Sequence, residues 1–165
     1  MNSSDAERCL AVDVGQLAAI GRPSGDKAGM LHHMQGPRAV ILLWLGRSAE
    51  AVGALESTLA AAKAPSPPDL AYIVTDLELE TALAFLETGR AAEAEPLARA
   101  GLSQADDVPT RALAECLLGW ALARSGRSDE GQAMLDRALP VYRKWARADP
   151  RIIASIDRML ASSPR

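Results

Sequence analysis

One pattern of fourteen residues occurs three times in this chain, and the repetition limits the fold more than any other feature. Each copy begins with Gly-Arg, has a glutamate four residues after the glycine, and has a leucine thirteen residues after it. The copies occupy residues 46–59, 89–102 and 126–139. Their glycines are 43 and then 37 residues apart, which is room for two helices and two short connections in each interval. The sequence therefore predicts an array of helix-turn-helix units.

Small residues recur at fixed distances from the three glycines, where a pair of helices would have to approach closely. They lie seven residues before each glycine and five residues after it: Ala39, Ala82 and Gly119, then Ala51, Ala94 and Gly131. Larger apolar residues lie four residues before and thirteen after: Leu42, Phe85 and Leu122, then Leu59, Leu102 and Leu139. We expect each glycine to adopt the left-handed conformation and reverse the chain between the two helices.

The composition favours one helical domain. With 165 residues, 48% of them apolar and 24% charged, the chain can bury a substantial core. Aromatic residues make up 4%, which disfavours a sheet built from aromatic and β-branched residues. A formal net charge of -3 argues against a nucleic-acid or anionic-membrane surface, because both require concentrated Lys and Arg.

The cysteines and the apolar runs indicate the compartment. Cys9 and Cys116 fit neither a disulfide framework nor a metal motif. No secretory signal follows Met1, and the longest strongly apolar run, residues 39–45, is much shorter than the roughly 20 residues of a membrane span. We therefore expect a soluble, cytoplasmic protein.

Capping and stop signals predict the positions of the helices. The expected spans, besides a first helix that begins near Ser4 and a short one before Gly46, are 48–63, 69–88, 91–103, 110–125, 128–139 and 151–161. Ser48 and Ser128 are expected as N-caps, and Asp106, Asp107 and Pro109 as a further start signal. Pro140 should either end or kink its helix, and the prolines of residues 64–68 should form a spacer.

These residues resemble the tetratricopeptide repeat family. Leu118-Gly119 followed by Leu122 is similar to the motif of the family's first helix, and Gly89, Ala94 and Gly101 are similar to that of the second. The chain departs from the family by lacking the early tryptophan, by having Gly131 and Ala98 at two motif positions, and by repeats longer than the family's ~34 residues. The resemblance is thus to a long-helix variant with three recognisable copies.

The resemblance implies an all-α fold: a right-handed superhelical stack of antiparallel helix pairs, or α-solenoid, closed by a C-terminal capping helix. Residues 1–165 would form a single domain. Its expected parts are an atypical N-terminal repeat (1–34), three repeats (35–63, 69–103 and 109–148) and the capping helix (149–165).

The resemblance also implies a function, since members of the family bind peptides or protein segments on a concave surface of first helices. Offsets from the glycines assign this partner-binding surface to Leu79, Leu83, Leu86, Leu113, Cys116 and Trp120. The alternative is that another helix or a second subunit covers these residues. The expected function is a non-enzymatic interaction module for a protein or peptide; the alternative is a regulatory or self-associating segment of a bacterial signalling or transcriptional system.

No motif predicts catalysis, a metal site or a cofactor. Adjacent His32 and His33 would point about 100 degrees apart on a helix, and the segment 21–28 lacks the Gly-Lys-Ser/Thr of a phosphate-binding loop. Cys116 lacks an identifiable histidine partner. The alternating carboxylates Asp76, Glu78 and Glu80 are expected to be solvated rather than to act as an acid/base group.

The basic residues have two open interpretations. Arg47, Arg90 and Arg127 follow the turn glycines and could grip an anion, but pairing with Glu50, Glu93 and Glu130, or simple solvation, is favoured. Arg143, Lys144 and Arg147 are expected to form a solvated helix face.

Overall fold

The computed structural model describes residues 38, 39, 41–43, 45–63, 74–145 and 150–162, and these are helical apart from short connections. No strand occurs among them. After helical residues at 38, 39 and 41–43, the helices are α1 (Ser48–Lys63), α2 (Val74–Glu87), α3 (Ala91–Gln104), α4 (Val108–Arg124), α5 (Ser128–Arg143) and α6 (Pro150–Ser162). The prediction of an all-helical fold is confirmed for this part of the chain. The helix expected near Ser4, the proline spacer and the first residues of the 69–88 helix lie outside it.

Helix α4 begins where its sequence signal predicts, whereas Ser48 and Ser128 do not have the capping role expected of them. Asp107 caps α4 by accepting a hydrogen bond from the Thr110 N–H at 2.8 Å. The cap of α5 is Arg127, so Ser128 is the first helical residue and the prediction of a serine cap is wrong. Ser48 is also inside its helix, and its hydroxyl donates to Glu87 at 2.5 Å. Serine was expected to cap because its side chain can accept an N–H, but the preceding turn already fixes where these helices begin.

Pro140 does not end α5, which continues to Arg143. A proline removes one backbone donor and strains the turn before it. Here Leu139, directly before the proline, and Tyr142, two residues after it, are buried in the core. Burial of these side chains offsets the lost hydrogen bond, and a local signal alone could not show that.

Each turn glycine adopts the left-handed conformation, as predicted. The φ angles of Gly46, Gly89 and Gly126 are 72, 80 and 85 degrees. The N–H of the following arginine then reaches back to a carbonyl in the last turn of the preceding helix: Arg90 donates to Phe85 at 2.7 Å, and Arg127 to Leu122 at 3.0 Å. This six-residue closure is a Schellman-type cap that ends one helix and starts the next.

The same arginines pair with the glutamates three residues later. The guanidinium of Arg90 donates to both carboxylate oxygens of Glu93, at 2.7 and 2.5 Å. Equivalent two-pronged pairs join Arg47 to Glu50 and Arg127 to Glu130. Local pairing, the favoured interpretation of these arginines, is therefore confirmed. The arginine lowers the pKa of Glu93 by hydrogen bonding and by its charge.

Two of these arginines also reach the preceding part of the array. Arg90 lies over the Phe85 ring at 4.1 Å and donates to Glu56 of α1 at 3.0 Å. Arg127 donates to Glu95 of α3 at 2.8 Å, and Glu95 also accepts from Arg99. The repeated turn thus connects successive helix pairs as well as the two helices within a pair.

From α1 to α5, helices that follow one another along the chain pack together, and α4 and α5 make the most extensive contact. Here the two backbones nearly touch: a Cβ atom on Gly131 would lie 2.5 Å from the Gly119 carbonyl oxygen and 2.6 Å from the Ala123 nitrogen. The other small residues predicted at helix contacts, Ala39, Ala51, Ala82 and Ala94, are all completely buried. The prediction of close approach at these positions is confirmed.

The predicted large residues fill the core around these contacts. Leu42, Leu59, Phe85, Leu122 and Leu139 are buried, whereas Leu102 is half-buried. A second type of contact links every other helix, since α2 touches α4 and α4 touches α6. The site described below lies along these contacts.

We expect Gly131→Ala to destabilise the protein by about 2–3 kcal/mol. A methyl group there meets rigid backbone, and such overpacking outweighs the roughly 1 kcal/mol that alanine gains over glycine in a helix. Gly53→Ala is the matched control, because a Cβ on Gly53 meets nothing within 4 Å. It should stabilise by about 1 kcal/mol in urea unfolding. Equal effects of the two substitutions would contradict the close α4–α5 contact.

Candidate functional site

A partly open apolar cleft of about 120 Å³ lies between α2, α4 and α6. Eight residues line it, five of them apolar: Asp76, Leu79, Glu80, Leu83, Thr110, Leu113, Leu117 and Ile152. An apolar cavity of roughly 150 Å³ is enough to hold a benzene molecule in a protein. This cleft therefore has room for about one apolar side chain.

Helical spacing brings the lining residues to one side of each helix. On α2 the residues recur at intervals of three and four, from Asp76 through Leu79 and Glu80 to Leu83. The same spacing joins Thr110, Leu113 and Leu117 on α4. Residues three and four apart share a helix face, so the two helices contribute the facing walls. Ile152 of α6 completes the lining.

The second helix of the pair also shapes this wall. Gly101 of α3 packs against Leu79, and a Cβ atom there would lie 2.6 Å from Leu79 Cδ2. Glycine at this position therefore gives Leu79 the space that it occupies beside the cleft. Gly101, noted in the sequence as part of the second-helix motif, thus acts on the cleft indirectly.

The structure brings together three of the six predicted partner-binding residues. Leu79, Leu83 and Leu113 all line the cleft. Leu113 is the most accessible of the three, being half-buried, whereas Leu79 and Leu83 are buried. These three residues are therefore retained as candidates.

The other three predicted residues do not line this cleft. Leu86, Cys116 and Trp120 are buried in the core, as Leu79 and Leu83 are, but none of the three borders the cleft. The physical reason is that α4 contacts α2, α3, α5 and α6 and is covered on several sides. Offset from the turn glycine identifies an apolar face of such a helix, but it does not distinguish a cleft from the core.

Five lining residues were not predicted from the sequence: Asp76, Glu80, Thr110, Leu117 and Ile152. Asp76 and Glu80 had been treated as solvated carboxylates, and Ile152 had no role beyond the capping helix. Their signal was present, because Asp76 and Glu80 share the spacing of Leu79 and Leu83 along α2. That signal could not show where α6 packs.

Glu78, two residues before Glu80, is buried, and the prediction that it is solvated is wrong. Its carboxylate is 1% exposed, forms an ion pair with Lys63 Nζ at 2.6 Å and accepts from Gln104 Nε2 at 2.9 Å. Lys63 ends α1 and Gln104 ends α3. A buried charge requires such partners, and the three residues tie together the ends of three helices.

The two cleft carboxylates lack such partners. In the part of the chain that the structure describes, neither Asp76 nor Glu80 has a hydrogen-bond or ion-pair partner. Burial, together with the charge of Asp76, raises the pKa of Glu80 to about 8. Burial and the nearby Asp107 also raise the pKa of Asp76, although Asp76 is exposed. The half-buried Glu80 is the more strongly affected of the two because more of its surroundings exclude water.

The remaining candidates for chemistry are separate from the cleft or outside the described residues. Burial, with a contribution from Glu115, raises the pKa of the Cys116 thiol to about 12, so it remains protonated near neutral pH. His32, His33, Cys9, Arg147 and the segment 21–28 are not described. Over residues 38–63, 74–145 and 150–162, apart from 40 and 44, no group of three or more His, Cys, Asp or Glu side chains is placed to hold a metal ion.

Arg143 of the predicted basic face pairs with Asp157 and so links α5 to α6.

The described helices include none with the length and apolarity to span a bilayer. Comparison of the chain with protein-family models, with curated proteins and with solved structures gave no match. The geometry of the cleft is therefore the basis for inferring a function.

We expect the free energy of unfolding to decrease as the pH rises from about 4.5 to about 8, and Glu80→Gln to weaken this dependence. The unfolded chain ionises Glu80 near the ordinary pKa of 4.5, whereas the folded protein retains the proton up to about 8. The contribution of Glu80 to the free energy of unfolding is therefore fully present below pH 4.5 and is lost as the pH rises to about 8. Since one pKa unit corresponds to about 1.4 kcal/mol, the wild type should lose at least about 1 kcal/mol more than the variant.

Urea unfolding at both ends of this pH range measures the effect. Asp136→Asn is the control, because it makes the same change of charge on the exposed side of α5. If Glu80→Gln and wild type showed parallel pH profiles, the cleft would not hold Glu80 in its protonated form.

Proposed function

We propose that the chain is a tetratricopeptide-like interaction module without enzymatic activity, which binds a peptide or helical segment of a partner protein by its apolar cleft. The observation that carries the proposal is the cleft itself: a partly open cavity of about 120 Å³ with Leu or Ile at five of its eight lining positions. An open apolar cavity of this size favours the side chain of a binding partner over a polar metabolite.

The repeated turn and the helix contacts support an α-solenoid of antiparallel pairs. Each turn has a left-handed glycine and a backbone hydrogen bond from the next arginine to the preceding helix, as a reversal of the chain between paired helices would require. Contacts between α2 and α4, the first helices of successive pairs, are those that a stack of such pairs would make. In this arrangement α6 is the capping helix, and its Ile152 borders the cleft without filling it.

The chemical character of the cleft supports binding rather than catalysis. Its titratable groups are the carboxyls Asp76 and Glu80, and Glu80 is largely protonated at neutral pH. Thr110, the cleft hydroxyl, donates to Asp107, an exposed cap residue, rather than to a base inside the cleft. A nucleophile with an adjacent base is what hydrolytic catalysis requires.

We predict that Leu113→Glu weakens peptide binding by at least about tenfold, because it places a charge where the partner's apolar side chain is buried. Leu113 is the suitable position, since it is half-buried and tolerates a polar residue better than Leu83 does. The probe is a peptide enriched on the immobilised full chain from a displayed library of random peptides, and calorimetry measures its affinity.

Leu102→Glu is the matched control for this substitution. Leu102 is also a half-buried leucine, but it lies on α3 and does not line the cleft. The affinity of the Leu102→Glu variant for the peptide should stay within about threefold of wild type. Circular dichroism should show that both variants are folded. The proposed function fails if no peptide is enriched, or if Leu113→Glu and Leu102→Glu bind the peptide equally well.

A further inference from the structure

The cleft has a polar end as well as an apolar one. Asp76 and Glu80 lie one helical turn apart on α2, and Leu83 follows Asp76 by seven residues, or about 10 Å at 1.5 Å per residue. The charge of Asp107, at the start of α4, acts on Asp76, so this end also faces a third carboxylate. The cavity therefore changes from apolar to acidic over about two turns of α2.

The unmatched state of these carboxylates contrasts with that of two other buried or partly buried glutamates. Glu78, on the same helix, has both Lys63 and Gln104 as partners. Glu95, which is partly buried, accepts from Arg99 and Arg127. Asp76 and Glu80 have no such partner among the described residues, and a carboxylate that loses water without gaining a partner is destabilised.

Three basic residues whose side chains the structure describes on the adjoining helices are already engaged. The guanidinium of Arg111, one residue from Thr110, donates to the Ala105 carbonyl at 3.1 Å. Lys63 is paired with Glu78, and Arg143 with Asp157. None of these three residues supplies a positive charge to Asp76 or Glu80, so a molecule that binds in the cleft can supply it.

We propose that the cleft recognises a segment of a partner protein in which a lysine or arginine lies about one helical turn from the apolar side chain that the cleft buries. This inference rests on the proposed function and adds the chemistry of the partner. The apolar side chain contacts Leu79, Leu83 and Leu113, while the cation pairs with Asp76 and Glu80. Two carboxylates four residues apart can receive one ammonium or guanidinium group.

Pairing of the partner's cation with Asp76 and Glu80 would determine which peptides bind more than how tightly they bind. A peptide with the same apolar residue and no cation leaves Glu80 half-buried, unpaired and protonated, whereas one with an aspartate or glutamate adds like charge beside Asp76. Repulsion and unpaired buried groups are what separate a correct partner from a wrong one. Peptides with lysine or arginine at the spacing of one turn should therefore be enriched over neutral and acidic ones.

The displayed random-peptide library, applied to the full chain, tests this directly. We expect cleft-dependent peptides to carry lysine or arginine three or four residues from a leucine, isoleucine, methionine or phenylalanine. For one such peptide, Glu80→Gln and Asp76→Asn should each lower the affinity by about tenfold, as expected for the loss of a charged hydrogen bond. Asp136→Asn, the control on α5, should change it by less than about twofold.

Replacing the peptide's own cation with glutamine gives the complementary measurement. It should weaken binding to wild type by about tenfold and to Glu80→Gln by much less, because the two changes remove the same contact. Peptides whose binding depends on Leu113 but that show no enrichment of lysine or arginine would overturn this inference and leave the proposed function standing. Unchanged affinity in both Glu80→Gln and Asp76→Asn would overturn it equally.

Discussion

The left-handed glycine between paired helices is the constraint on which the rest of the structure depends. With φ of 80 degrees, Gly89 allows the Arg90 N–H to close onto the Phe85 carbonyl, and the next helix starts at once. An L-residue with a Cβ is disfavoured in this conformation, which explains why glycine recurs there. The arginine that follows then grips the glutamate of the new first turn. One short motif therefore sets the end of one helix, the start of the next, and the side on which they meet.

Much of the scaffold could be predicted because it depends on local chemistry repeated at fixed spacing. The turn glycines, the Arg–Glu pairs and the Asp107 cap each require only residues within one or two turns of one another. The small residues at helix contacts could be placed from the same register. At Pro140 a local signal competed with long-range packing, and of the two predicted outcomes, an end or a kink of the helix, the structure excludes the end.

The site was predicted less completely, since it depends on which helix faces which. Leu79, Leu83 and Leu113 were found because they belong to the apolar faces of α2 and α4. Leu86, Cys116 and Trp120 share that apolar character but face the core. The burial of Glu78 could not be predicted, because its partners Lys63 and Gln104 are separated from it by 15 and 26 residues along the chain. Whether a carboxylate on α2 is paired or unpaired is thus decided by the ends of α1 and α3.

The contrast between Glu78 and Glu80 connects the scaffold to the proposed recognition. Both carboxyls are on α2, but one is neutralised within the fold and the other borders the cleft with a pKa of about 8. The most direct test of the cleft as the binding site is methyl NMR of the full chain during titration with a peptide enriched from the displayed library. The account predicts that the methyl signals of Leu83, Leu113, Leu117 and Ile152 shift, while those of Leu55 and Leu135, fully buried in the core away from the cleft, do not. Shifts confined to the signals of other faces, with the four cleft residues unchanged, would contradict it.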